Sequence, residues 1–442
     1  MKKKKKKKKF HFFKFLIFLI FIGGVSFGLF YFKESKSFLE DVSKDDFATL
    51  SYYAIYGTHL NLKGNFDLAD SSTLVLTDGK NEYPIDLEVS GDYFETSDLI
   101  NGGINLEKLS LGNFYLLFKH EKDDSIQYYS LKNETDYGNL TYYSLTKNGK
   151  NNKIDFKFKG DFLNVLVKES SLPSDVYDIT IDPGHDANDS GMMVCLGGEL
   201  PSASGKCKNG TLYKEADLNL ALALEVKKNL EDLGYKVIMT RNNEKDTVCT
   251  YCSMGSATMA NDTKSKFNLA LHHNSTGVVG AKSHGLEVYV ANDIDFDLAN
   301  LFSENIVKYA NTSVSLKKDF LVSNGIYQRF FTKKEIDESD EKFPLKTPST
   351  IYYYAVREVG GISTHAYNDG RYSKYPKNEH YNSNNTAESY LLELGYMDNK
   401  SDLNNILSNR SGYAKGISEA LRIYLSEWCL TFLISDFFWF SC

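Results

Sequence analysis

Between Ile179 and Thr240 the apolar pattern changes its period twice, and this leaves few folds open to the chain. Ile179 and Ile181 alternate with Thr180 and Asp182, a two-residue repeat that Pro183-Gly184 stops. Leu218, Leu222, Val226, Leu230 and Leu233 then recur at three- and four-residue steps, one face of a helix that Gly234 ends. Tyr235-Lys-Val-Ile-Met-Thr240 returns to strand texture. Strand, helix and strand in that order make a crossover unit with a parallel pair. Further strands are expected at Phe267-Asn-Leu-Ala-Leu271 and Tyr390-Leu-Leu-Glu-Leu394. The expected class is α/β, a twisted, mostly parallel sheet flanked by helices.

In such sheets ligands collect at the carboxyl ends of the strands. His185 follows the first strand, His272-His273-Asn274 follows another, and Glu215 opens the helix. Two imidazoles and a carboxylate can converge on one divalent ion, provided the imidazoles lie within about 6 Å of each other. Two histidines and a glutamate around zinc leave a fourth position for water, the open arrangement of a hydrolase. Each residue also has a plainer use. A single histidine is commonly structural, and Glu215 suits any helix N-terminus. Glu393 stands among apolar residues just before Gly395, where an acid needs either a salt-bridge partner or a reason to be basic near neutrality. Glu287, Glu358 and Glu388 compete with it for any proton-transfer role.

The ordered motifs Asp182-Pro-Gly-His185, Glu215-Ala-Asp-Leu-Asn-Leu-Ala221, Thr240-Arg241, Ala260-Asn261, Leu271-His-His-Asn274, Gly285-Leu-Glu-Val-Tyr289 and Leu391-Leu-Glu-Leu-Gly-Tyr396 are quoted as they stand. Together they resemble those of the zinc-dependent N-acetylmuramoyl-L-alanine amidases, which are cell-wall hydrolases. The resemblance covers residues 176 to 427. It implies a Zn2+ ion held by His185, Glu215 and His272, with Glu393 as the catalytic carboxylate. His272 takes the ligand's place because Asn274 then falls two residues later, as in the family pattern. Strand alternation agrees, since His272 shares a face with Asn268 and Ala270. The implied substrate is peptidoglycan, cut between N-acetylmuramic acid and L-alanine.

The chain departs from the pattern at Asp186-Ala187, where family members commonly have glycines. It departs again before Ala260-Asn261, where an arginine is often found and Ser256 stands nearby. Thr312 to Pro348 is a charged insertion, either a lid over the groove or a surface loop. Two other readings stay open: a wall-binding scaffold without activity, which the four filled catalytic positions oppose, and a zinc peptidase acting on stem peptides.

Upstream, eight lysines follow Met1, and Phe15 to Phe32 are free of charge. Eighteen such residues approach the ~20 that a helix needs to cross hydrocarbon. Residues 1–9 read as a cytoplasmic polylysine tail, 10–32 as a transmembrane signal anchor and 33–48 as a juxtamembrane stalk. A cleaved secretory signal is the competing reading, but Phe27 to Phe32 continue the apolar run past any cleavage site. The positive-inside rule then puts everything after Lys33 outside the cytoplasm, on a cell membrane. Residues 33–442 hold 42 basic and 58 acidic side chains, a net of -16, which excludes nucleic acid as a partner. A protein regulator is left open.

Residues 49–170 are rich in short Tyr, Phe, Val and Ile runs separated by turn signals, and read as a small β-sandwich serving as a spacer or as a wall-binding surface. Glu169 to Ser174 reads as the linker to the catalytic half. Cys195, Cys207, Cys249 and Cys252 allow three disulfide pairings, with a structural zinc as the alternative. Residues 428–442 form an apolar tail too short for a membrane span.

Overall fold

A computed structural model describes residues 38–430, except 45–46, 68–71, 97–102, 123–124, 136–137, 148, 209, 251, 279–281, 291–295, 339–347, 349–350 and 360–384. The polylysine tail and the expected membrane anchor lie outside the described residues, as does the apolar tail beyond Leu430. Among the described residues no helix is long and apolar enough to cross a membrane.

Upstream strands include β1 (Ala48–Tyr56) and β2 (His59–Phe66), which pair antiparallel. Residues 48–170 form two sheets, and Leu50, Leu62 and Phe94 of one share an apolar core with Leu74, Phe118 and Phe156 of the other. The strand Phe162–Ser170 runs into the stretch expected to be linker, so the connection shortens to about 171–175.

The catalytic half contains β3 (Ile179–Pro183), α1 (Glu215–Asp232), β4 (Val237–Met239), β5 (Phe267–Asn274), β6 (Glu287–Tyr289), α2 (Asp297–Ala310), β7 (Leu321–Ser323), β8 (Ile326–Tyr327), α3 (Tyr354–Arg357), β9 (Glu388–Tyr396), α4 (Lys400–Ser408) and α5 (Arg410–Leu430). The sheet order is β4-β3-β5-β9-β6-β8-β7. β3 runs parallel to β4 and to β5, as the crossover requires, and β5 runs parallel to β9. The sheet is mixed, because β6 is antiparallel to β9 and β7 to β8. The charged insertion corrects the loop reading in part: β7 and β8 lie inside it, and Ile326 and Tyr327 are fully buried at the sheet's edge.

Helix α1 buries Leu222, Val226 and Leu230, as the spacing predicts, but Leu233 lies at the C-cap beyond the last turn and is 43% exposed. Gly234 follows at φ 96°, the left-handed conformation that closes helices.

The two faces of this sheet are covered differently. Leu269, Leu271, Val288, Leu392 and Leu394 pack beneath α1, α2 and α5. The other face carries Ala270, Tyr289 and Leu391, met by Tyr327, Ile351, Ala355 and Val356. Side chains alternate along a strand, so His272, Glu287 and Glu393 belong to this second, less covered face.

Candidate active site

His185 stands just past β3 with φ 63°, a conformation that costs a non-glycine residue about 1 kcal/mol or more and turns the chain sharply out of the strand. Its position is fixed from below. The guanidinium of Arg241, 1% exposed, donates to the carbonyls of Pro183 at 3.2 Å, Gly184 at 3.2 Å and Ala216 at 2.6 Å. Asn219 of α1 donates to the Gly184 carbonyl at 3.0 Å. One buried cation and one amide thus tie the His185 turn to the helix that begins with Glu215.

His272 and His273 are neighbours with opposite surroundings. The β5–β9 register pairs His272 with Glu393 and then shifts before Asn274. This irregularity turns successive side chains apart. His273 faces α1, where its Nδ1 meets Asn219 Oδ1 at 2.6 Å, and burial pushes it down to about 4, so it stays neutral. His272 faces the site.

His185, Glu215 and His272 each offer a ligand atom, and these atoms lie within 4.8 Å of one another. The two imidazole rings have centroids 5.1 Å apart, inside the limit that one shared ion sets. His185 Nε2 is 3.1 Å from Glu215 Oε2, and His272 Nδ1 is 3.1 Å from Glu215 Oε1. Ligands about 2.0–2.1 Å from a tetrahedral ion stand roughly 3.3 Å apart, so this donor set fits zinc. The surroundings fit as well. A methyl group at Gly184 would lie 2.1 Å from His272 Cε1, and one at Gly191 would lie 2.6 Å from Glu215 Oε2, so the cradle admits only glycine at both. The far nitrogen of His185, Nδ1, meets Asp189 Oδ2 at 2.8 Å, which fixes the ring's orientation. Burial disfavours charge on His185, yet the hydrogen bond and charge of Glu215 outweigh it and lift the imidazole to about 9. Burial likewise opposes ionisation of Glu215, but its bonds to both imidazoles hold it well below the usual carboxylate range. A carboxylate and two imidazoles aimed at one point demand positive charge there.

Glu393 is 7% exposed, and its Oε2 has no hydrogen-bond partner among the described residues. Burial pushes it up to about 7; His272 opposes that rise, while Glu215 and Glu287 add to it. Its rivals are all engaged. Glu287, opposite Glu393 on β6, receives the hydroxyls of Tyr289 and Tyr396, the latter at 2.5 Å, the Asn274 amide at 3.3 Å and Lys317 Nζ at 3.4 Å. Glu358 is bonded to Arg357 at 2.5 Å, and Glu388 accepts the Tyr390 hydroxyl.

Several neighbours of this face carry no motif. Burial, followed by the charge of Glu393, raises the Tyr353 hydroxyl, and burial, followed by Asp182, raises that of Tyr354. Tyr353 packs on the ring of Tyr289 at 4.7 Å, and the Tyr354 hydroxyl lies 3.3 Å from Ser256 Oγ. The run Tyr352-Tyr353-Tyr354 was the available signal. The four cysteines form two disulfides, Cys195 with Cys207 and Cys249 with Cys252, which leaves no thiolate among them for a second zinc.

Residues 179–343 match the family described as N-acetylmuramoyl-L-alanine amidase. No curated protein matches the chain. Among solved structures, an N-acetylmuramoyl-L-alanine amidase from Clostridium difficile 630 is 19% identical, covers 57% of this chain and 98% of its own, and gives a TM-score of 0.36. The catalytic domain of CwlV from Bacillus (Paenibacillus) polymyxa var. colistinus is 19% identical, with coverage of 57% and 99% and a TM-score of 0.35. Ami1 from Mycobacterium smegmatis is 16% identical, with coverage of 58% and 100% and a TM-score of 0.36.

Proposed function

From the match of residues 179–343 to the N-acetylmuramoyl-L-alanine amidase family, we propose that this chain hydrolyses the amide between N-acetylmuramic acid and L-alanine in peptidoglycan, with Zn2+ held by His185, Glu215 and His272. The observation that carries the reading is the meeting of these three donors within 4.8 Å of one another, with His272 directly opposite Glu393 in the β5–β9 register. A divalent ion bound there would bring the pKa of water to about 7 and polarise the scissile carbonyl.

The chain's own residues do the rest. Glu393 is held up to about 7, close to the point where taking and giving a proton are equally easy. Its free Oε2 accepts the proton of the attacking water and later delivers it to the nitrogen of L-alanine as the carbon–nitrogen bond breaks. Arg241 and Asn219 keep the His185 turn against α1. The basic, apolar N-terminus supports a further part of the proposal, that one membrane anchor holds the catalytic half outside the cytoplasm, next to the wall.

Dye release from labelled peptidoglycan tests the reading. Activity should vanish with a chelator and return with zinc, and the product should carry a new L-alanine amine. Glu393→Gln should bind zinc as the wild type does and lose about 10²–10⁴ in rate. An active, zinc-loaded Gln variant would remove Glu393 from its role, and a new amine on any later stem residue would make the enzyme a peptidase.

A further inference from the structure

The row His272, Glu393, Glu287 crosses three neighbouring strands, and Lys317 continues it on the far side. We propose that the Lys317 ammonium receives a carboxylate of the peptide that departs from the scissile amide, making Lys317 a specificity-determining residue. This deepens the amidase reading and rests on it.

The order of the row sets the substrate's direction. The polarised carbonyl lies at the metal ligands, and the leaving nitrogen lies at Glu393, so the peptide continues towards Glu287 and Lys317. Strands are about 4.8 Å apart, so two strand spacings correspond to roughly three residues of extended chain. A carboxylate on the second or third stem residue reaches Lys317.

Charge shows why a cation is needed there. Glu393 and Glu287 stand side by side along the path, and an acidic peptide passing them would be repelled. The nearby described cations differ sharply in what they can offer. Arg241 and Arg357 are each 1% exposed, the first spent on carbonyls and the second on carbonyls and on Glu358. Arg329 is bonded to Glu335 at 2.5 Å and stacked on Phe320 and Tyr352. Lys317 is 33% exposed along its side chain. Its Nζ stands 2.9 Å from Tyr289 Oη and 3.4 Å from Glu287 Oε2, and an ammonium has a third donor to give. The faces of Tyr289 and Tyr327, at 5.5 and 5.7 Å from Nζ, steady the side chain in that place.

The test uses the full chain with zinc and two soluble muropeptides, identical except that the stem carboxylates of the second and third residues are free in one and amidated in the other. The wild type should prefer the free acid. Lys317→Met should raise KM for the acid about tenfold with kcat within twofold, and leave the amidated substrate unchanged, while Lys317→Arg keeps the preference. Equal losses on both substrates, or no loss on either, would overturn the proposal. Cleavage of neither muropeptide by the wild type would instead count against the amidase reading, and the proposal would fall with it.

Discussion

His59 opens β2 directly after the β1–β2 turn, 3% exposed, with its Nδ1 3.1 Å from Thr58 Oγ1. Burial first, and then the charge of Lys108, push it down to about 3. The unfolded chain takes up this proton near pH 6.5, and the folded chain does not. The stability His59 contributes is therefore complete above about pH 6.5 and is lost progressively as the pH falls towards 3, about 2 kcal/mol of it by pH 5. Urea unfolding at pH 7 and pH 5 should show a loss that His59→Gln reduces by about that amount; an unchanged loss would remove His59 as the cause. Other single residues differ in how plainly the sequence reveals them. His185, Glu215, His272 and Glu393 stand at strand ends or a helix start, positions that period and punctuation locate. Asp189, Tyr353 and Lys317 acquire their roles only through packing. Lys317 and Glu287 are 30 residues apart, and no local pattern links them.

At the scale of elements, α2 and α5 come close enough for backbone to touch backbone. A methyl group at Gly416 would stand 2.6 Å from Ile306 Cα and 2.8 Å from the Asn305 carbonyl. Alanine in place of glycine favours a helix by about 1 kcal/mol, but overpacking of this kind costs about 1–3 kcal/mol. Crowding against a main chain that cannot turn aside should win. Gly416→Ala should therefore lower the melting temperature, and a rise would show that the helices can part without cost. Helix α1 is legible from its period because one face of it is buried, and β3, β5 and β9 from their apolar runs, although β3 and β9 are buried on both faces. The short strands β7 and β8 are not legible. Three and two residues long, they are strands by virtue of the edge they pair with, and a charged surrounding sequence conceals them.

Across the whole molecule the two halves share an interior. Tyr56 at the end of β1 is fully buried and belongs to the same core as Phe267 and Tyr390. Ile55 and Tyr56 pair with Asn385 and Thr386, immediately ahead of the strand that sets Glu393 opposite His272. Lys266, buried with Asp178 at 3.6 Å, has the Tyr142 ring of the upstream half 5.6 Å from its nitrogen. The only covalent thread between these partners is the short connection at 171–175, exposed at Ser171, Ser174 and Asp175. Cutting that thread leaves the contacts at Tyr56 and Lys266 intact and touches the hydrogen bonds that the Pro173 and Ser174 carbonyls accept from Lys236. A protease site engineered there should yield two fragments that elute together from a sizing column and still release dye from wall material, and separation only in denaturant would follow. The protein would then survive nicking as a two-chain complex, the strand that carries Glu393 held by a piece to which it is no longer joined.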